Sequence, residues 1–572
     1  MTTAPTTPGG SSGTLLDRRA LALLFAGLIL SMLLASLNQT ILATALPTLV
    51  GELQGAHLMV WVITVYILAS TVMMPVYGKL GDLIGRKPLL VGAIVLFMIG
   101  SVVSALTIDM TGLIVGRTIQ GLGGGGLIIL SQAIIADVVP PRERGKYMGI
   151  MGGVFAFSSV AGPLLGGWLT EGPGWRWAFW MNIPLGLAAL AAALFLMPLP
   201  QRRRGRPHLD FGGMALIAVG TTCLVLLGTW GGSHYAWNSP LILGLIAGTL
   251  VSAALFVFVE GRTREPIIPL RLFADRNFNL TTVAGLFIGI GMFGVLGYMP
   301  TYLQMVAGQD ATASGLLMVP MMGSMLLVST ASGWYVSRTG RYKWLPIAGA
   351  VLLAAALVGL STLTAQTAIW VACAYLAVLG VGLGASMQIL VLVVQNSFPV
   401  TQVGTATASN NFFRQIGGTL GSAVVGSVFS ARLLGLLTER LPGADAAVDG
   451  GVNALTPDVV KHLDDGLRIP IVEAYNDALT PIYLVIAPLA VLAAILLCFI
   501  EEKPLATRIE REVQVESTVP AEAPVPAELA EGTQTSAPGP HRSASARPVA
   551  GGAAVSAPDP SAVDGTSLAS RR

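Results

Sequence analysis

Residues 61–97 read WVITVYILASTVMMPVYGKLGDLIGRKPLLVGAIVLF. Two apolar runs flank a ten-residue insert, GKLGDLIGRK (Gly78 to Lys87), which holds all the charge of the stretch. About 20 apolar residues cross the hydrocarbon core as a helix, since a helix satisfies its backbone amides from within. The stretch is therefore two membrane spans joined by a short polar turn. Composition extends that conclusion to the whole chain. Of 572 residues, 53% are hydrophobic and 11% charged, with a mean hydropathy of +0.72. So little charge cannot cover the surface of a soluble domain.

Working outward, spans are expected near 20–46, 58–77, 88–107, 112–135, 146–169 and 177–197. Two more fall near 211–230 and 240–259, and six near 279–303, 313–334, 345–363, 368–395, 404–431 and 480–500. The expected fold is all-α and polytopic, with about fourteen transmembrane helices. Residues 1–19 read as a disordered N-terminus, 20–200 and 277–502 as six-helix bundles, and 201–276 as a linker carrying two additional spans. Residues 432–477 read as an extracytoplasmic loop, and 503–572, rich in Pro, Ala, Glu and Ser, as a disordered tail. The first apolar run exceeds a signal-peptide core, and many equal runs follow it.

Basic residues fall in alternate loops, among them Lys79, Arg86 and Lys87; Arg142, Arg144 and Lys146; Arg202 to Arg206; and Arg338, Arg341 and Lys343. Positive charge marks the cytoplasmic side, so both termini are expected in the cytoplasm of a protein of the cell membrane. Net charge is +3, which says little of partners; nothing points to nucleic acid. Cys223, Cys373 and Cys498 sit in apolar runs without disulfide or metal spacing, and the five histidines are scattered. No metal or cofactor is expected. The run from Gly123 to Gly126 lacks the Lys-Ser/Thr of a phosphate loop and lies within a span, where it reads as close helix packing.

An internal repeat is visible. GKLGDLIGRK at Gly78 is similar to GWYVSRTGRY at Gly333, and the glycines from Gly145 to Gly167 align with Gly404 to Gly426 at nearly the same offset. Two homologous halves with a site between them fit that register. Four motifs add to it: GKLGDLIGRK; LIVGRTIQGLGGGG, with Arg117 and Gln120 inside a span; GGVFAFSSVAGPLLGGWL; and WRWAFWMNIPLG at Trp175. The charged and small residues of the first suit helix approach and ion pairing. An arginine within the bilayer costs about 2.5–3.5 kcal/mol and needs a reason.

From about Leu21 to Ile500 the sequence resembles the major facilitator superfamily, in its fourteen-spanner drug:proton antiporter branch. The resemblance implies a multidrug efflux permease. It makes Gly78, Asp82, Gly85, Arg86 and Lys87 a cytoplasmic latch, and Gly162, Pro163, Gly166 and Gly167 an exporter motif. It gives Arg117 a part in proton coupling, with Asn38, Gln39, Thr40, Gln120 and a second intramembrane cation, Arg414, as further coupling or transport candidates. The first span departs from the family: LNQTILATALP carries Asn38 where an acid is usual, and an amide cannot titrate. Coupling would then move to a peripheral carboxylate among Glu52, Asp109, Glu171, Asp310, Asp137, Asp210, Glu260 and Asp275, or an arginine would pair with an anionic substrate group. Trp61, Tyr66, Tyr298, Tyr302, Gln304, Met318 and Met322 are candidate cavity residues, being aromatic, amide or methionine. The expected function is export of small amphipathic compounds by a monomer exchanging them for protons. A dedicated lipid or metabolite exporter is the alternative, and a membrane enzyme lacks convergent catalytic residues.

Overall fold

The computed structural model describes residues 18–55, 58–195, 210–231, 235–440 and 457–507. Among them fourteen helices are long and apolar enough to cross a membrane. In chain order they are α1 (Arg18–Glu52), α2 (Met59–Ile84), α3 (Arg86–Leu106), α4 (Met110–Val138), α5 (Pro141–Glu171), α6 (Trp177–Phe195), α7 (Phe211–Trp230) and α8 (Pro240–Glu260). Then come α9 (Arg276–Met305), α10 (Ala313–Thr339), α11 (Trp344–Ser361), α12 (Ile369–Ser397), α13 (Val403–Arg440) and α14 (Asp465–Cys498). Several helices begin on a short polar side chain that accepts an otherwise orphaned N–H. Asp109 caps α4, Asp210 caps α7, Ser239 caps α8 and Asp275 caps α9.

The repeat seen in the sequence is present in the packing. In the first half α1 packs on α5 and α6, α4 on α2 and α3, and α3 on α6. In the second half α9 packs on α13 and α14, α12 on α10 and α11, and α11 on α14. Each helix thus has a counterpart eight places later. Helices α7 and α8 stand outside this scheme: α7 lies against both α2 and α13, and α8 packs on α7 with little of its surface buried.

The run Gly121 to Gly126 is where α4 threads between α2 and α3. A Cβ on Gly125 would lie 2.3 Å from the Ser70 carbonyl of α2, and one on Gly123 would lie 2.5 Å from the Ala93 carbonyl of α3. Backbone against backbone leaves no room for a side chain, so the expected close packing is the structural fact.

Two expected boundaries move. The segment 432–477 is largely helical: α13 runs on to Arg440, α14 begins at Asp465, and a short helix, Pro457–Lys461, precedes it. Residues 441–456 lie outside the described residues. A 38-residue helix is about 57 Å long, well beyond the hydrocarbon core of about 30 Å. A helix does not end where its apolar stretch ends, and these extensions carry their own contacts. Leu433, Leu437, Ile471 and Ala474 are buried, and Arg440 pairs with Asp477 at 2.5 Å. The second shift is in the expected tail, whose first residues are docked. Leu505 is buried, Lys503 Nζ pairs with Asp275 at 3.0 Å, and Glu502 accepts from the Tyr342 and Lys343 amides. The Arg142 amide of the first half donates to the Ala506 carbonyl at 3.2 Å.

Gly125→Val is expected to destabilise the protein by about 3 kcal/mol or more through overpacking. Gly92→Val, where nothing lies within 4 Å of the added carbon, should stay within about 1 kcal/mol. Thermal unfolding of both purified variants checks the contrast.

Candidate functional site

The end of the bundle bearing Lys79, Arg86, Arg142, Arg144 and Arg338 is referred to as the basic end. There the two halves close on each other along two seams. On the first, Gly78 of α2 meets α13 so closely that a Cβ would lie 2.3 Å from the Ala408 Cβ and 2.8 Å from the Gly404 carbonyl. Asp82, one turn on, reaches across to the α13 N-terminus. Its Oδ1 accepts from the Gly404 amide at 3.1 Å, and its Oδ2 from the Thr405 amide at 2.7 Å and the Thr405 hydroxyl at 2.8 Å. A carboxylate on free helix-terminal N–H groups combines hydrogen bonding with a favourable dipole. Arg86 braces it at 2.8 Å, pairs with Asp137 at 2.9 Å, and donates to the Ala133 and Val400 carbonyls. Gly85 adopts φ +100, which favours glycine and turns the chain from α2 into α3. Lys87 donates to the Leu194 carbonyl at 2.9 Å.

The second seam joins α5 and α10, and it is the first one repeated. A Cβ on Gly333 would lie 2.1 Å from the Gly145 carbonyl. The segments aligned in the sequence thus meet each other crosswise, Gly78 on Gly404 and Gly333 on Gly145. Ser337 occupies the place of Asp82, and its hydroxyl accepts from the Lys146 amide at 3.2 Å, as Asp82 does from Thr405. Arg142 adds bonds to the Ser337 and Arg338 carbonyls, and Arg144 one to Gln395. One seam is closed by a carboxylate, the other by a hydroxyl.

Within the membrane depth the structure brings Asn38 and Gln120 together around Arg117. The guanidinium donates to Asn38 Oδ1 at 2.5 Å, Gln120 Oε1 at 2.9 Å and the Val62 carbonyl at 3.2 Å, and lies 4.2 Å from the Tyr66 ring centroid. Arg117 is 1% exposed, so it does not reach for the interface. Gln39 is half-buried beside this group. Thr40 donates to the Ser158 carbonyl of α5 at 2.8 Å, where Gly162 and Gly166 let α5 lie on α1. A Cβ on Gly167 meets nothing within 4 Å, and Pro163 sits inside the same helix.

The candidate cavity residues are divided between the halves, Trp61 and Tyr66 in the first and the other five in the second. Trp61 faces outward and stacks on Trp230 of α7 at 5.8 Å. Tyr66 donates within the first half, to Ala35; Tyr298 and Tyr302 donate within the second, to Ser422 and Asn476. Met318 and Met322 belong to an apolar cluster of the second half that also takes in Phe155, Ala156 and Val160 of α5, and Gln304 is half-buried near the end of α9. The polar groups that meet between the halves are Gln132, Gln388, Gln395 and Asn411, and Arg414 joins them through Asn411. Asn411 donates to Gln132 Oε1 at 3.0 Å, Gln395 to the Gln132 carbonyl at 3.3 Å, and Arg414 to Asn411 Oδ1. Gln388 and Gln395, seven apart in an otherwise apolar run, share a helix face. That amide spacing was the available signal.

Most candidate acids are committed elsewhere. Asp109, Asp275 and Asp310 cap helices, Glu52 accepts from the Trp175 indole at 2.8 Å and pairs with Arg176, and Glu171 is exposed. Asp210 and Glu260 differ. Both are buried where α7 and α8 meet at the basic end, and Asp210 Oδ2 and Glu260 Oε2 have no hydrogen-bond partner. A Cβ on Gly213 would lie 2.3 Å from Asp210 Oδ2 and 3.2 Å from Glu260 Oε1. Glu260 Oε1 also accepts from the Ile267 and Ile268 amides.

Charge-assisted bonds contribute about 1.5–3 kcal/mol and neutral ones about 0.5–1.5. Asp82→Asn should therefore speed amide exchange at Gly404 and Thr405 by about tenfold or more. Ser337→Ala should speed exchange at Lys146 by less, and the reverse order in hydrogen-exchange mass spectrometry would count against the asymmetry.

Known proteins share this architecture. Residues 28–422 match the model of the Major Facilitator Superfamily. The chain is 41% identical over 505 residues to an uncharacterized MFS-type transporter of Mycobacterium tuberculosis, covering 88% of this chain and 73% of that one. It is 38% identical over 420 residues to the multidrug transporter protein MdtP of Bacillus subtilis, covering 73% and 77%. The solved structure of the proton:xylose symporter XylE superposes with a TM-score of 0.55 at 17% identity, over 86% of this chain and 98% of that one, and so shares the fold. The chain belongs to the Major Facilitator Superfamily, a family of membrane transporters.

Proposed function

We propose that this transporter exports small amphipathic compounds across the cell membrane by alternating access, in exchange for protons. The observation that carries the proposal is the pair of symmetry-related seams, Gly78 on Gly404 and Gly333 on Gly145, with a band of amides and Arg414 deeper between the same halves. Rocking the halves about that band opens one end as the other closes. The basic end is assigned to the cytoplasm by its lysines and arginines, so the described state is closed to the cytoplasm. Relatives named as multidrug transporters support export and breadth of cargo.

Proton coupling is assigned to Asp210 and Glu260. Asn38 cannot titrate, Glu171 is exposed, and the remaining candidate carboxylates are engaged as caps or ion pairs, Asp210 itself capping α7 through Oδ1 alone. This pair retains free oxygens, and the loop after Glu260 carries Glu265, which grips Lys79 of the α2 latch at 2.6 Å. A potential of 100 mV supplies about 2.3 kcal/mol per charge moved, enough for one proton to sustain roughly fiftyfold accumulation.

Cells expressing the protein should retain several-fold less of at least one dye from a panel of ethidium and a fluorescein-type anion, and a protonophore should abolish the difference. Equal retention of both dyes with and without the protein would end the exporter proposal. In liposomes, Asp210→Asn with Glu260→Gln should lose at least about tenfold of proton-driven uptake while keeping downhill exchange; unchanged proton-driven uptake would remove the pair from the coupling.

A further inference from the structure

Two arginines lie within the membrane depth, and the structure separates them. Arg117 is enclosed and satisfied by two amide oxygens, a carbonyl and an aromatic face. Arg414 is half-buried and donates to Asn411 Oδ1, a neutral oxygen whose amide Nδ2 donates to Gln132 Oε1 and the Thr407 carbonyl. A guanidinium carries five N–H donors, and at this depth each needs an acceptor.

The depth of Arg414 follows from its helix. Gln395 of α12 donates to Thr407 of α13 at 3.4 Å, which sets the two helices side by side near the basic end. Seven residues deeper, about 10 Å along each, stand Gln388 on α12 and Arg414 on α13. Gln388 faces the opposite half, and Arg414 bonds to a residue that does. The Asn411 that holds Arg414 also holds Gln132 of α4, and Gln388 approaches α5, where a Cβ on Gly152 would lie 2.9 Å from its Cγ. Gln388 is 8% exposed, and its Oε1 has no partner. At about one depth there are therefore a cation with a single acceptor and a buried amide oxygen with no donor to accept from. The complement is a small anion that also carries a donor.

We infer that Arg414 and Gln388 form the head-group subsite of the cargo, and that the preferred cargo bears an anionic group, a carboxylate or phosphate-like ester, adjacent to an N–H or O–H. This deepens the exporter proposal by naming its substrate class, and it sets this chain apart from a carrier tuned to lipophilic cations. Arg414 supplies paired N–H donors to the anion, and Gln388 accepts from the neighbouring donor. The apolar remainder of the cargo lies along the surrounding helix faces.

The test uses the purified full chain in nanodiscs with hydroxynaphthoate, which has a carboxylate beside a hydroxyl, and its neutral amide. Thermal stabilisation as a function of ligand concentration gives both affinities. The carboxylate should bind at least about tenfold tighter than the amide. Arg414→Lys should keep most of that ratio, Arg414→Gln should reduce it to within about threefold, and Gln388→Leu should remove the advantage of hydroxynaphthoate over plain naphthoate. Equal affinity for acid and amide in the wild type, or a ratio unchanged in Arg414→Gln, would overturn the inference. If the affinity ratio holds but no dye is exported from cells, the subsite stands and the exporter proposal falls.

Discussion

The two halves are held by a carboxylate seated on a helix end that belongs to the other half. Asp82 supplies the acceptors that the first amides of α13 lack, and it can do so only because Gly78 and Gly404 let the backbones come within contact. Three features thus depend on one another: the glycines permit approach, the approach brings the carboxylate to the helix terminus, and Arg86 keeps that carboxylate oriented. The contact is strong while formed and short in range. A fraction of an ångström of separation weakens all of its bonds together, which suits a closure that must also release.

The repeated seam shows what duplication kept and what it changed. The glycine crossing is the same on both sides, whereas the carboxylate is present once. Ser337 and Lys146 reproduce the geometry of Asp82 and Thr405 without it, and the charge on that seam is Arg142, which donates to the Ser337 and Arg338 carbonyls. One seam is thus closed by an anion on a helix terminus and the other by a hydroxyl and a guanidinium on backbone groups.

Much of this was legible in the sequence. The spans, the two extra helices, the repeat and the latch all follow from apolar length, charge placement and glycine spacing, which are local properties. Asn38 beside Arg117 was legible for the same reason: one substitution in a known string. The cavity was not. Trp61, Tyr302 and Met322 have the same composition whether they line a binding site or fill a core, and the partners each has in the structure suit either role. Helix ends were misjudged where polar residues continue a helix beyond the apolar core, as at Arg440 and Asp465. The Asp210–Glu260 pair was visible only as two separate acids, because the fold brings them together across 50 residues.

The segment Glu501–Ala506 has a mechanical consequence. Through Asp275, Tyr342 and Lys343 it is anchored to the second half, and through Ala506 it touches the first at Arg142. It therefore bridges the α5–α10 seam like a stitch laid across a join. Whatever draws those few residues outward, whether a load pulling on the chain beyond them or a protein clasping it, removes that stitch and lowers the effort of parting the halves at the basic end.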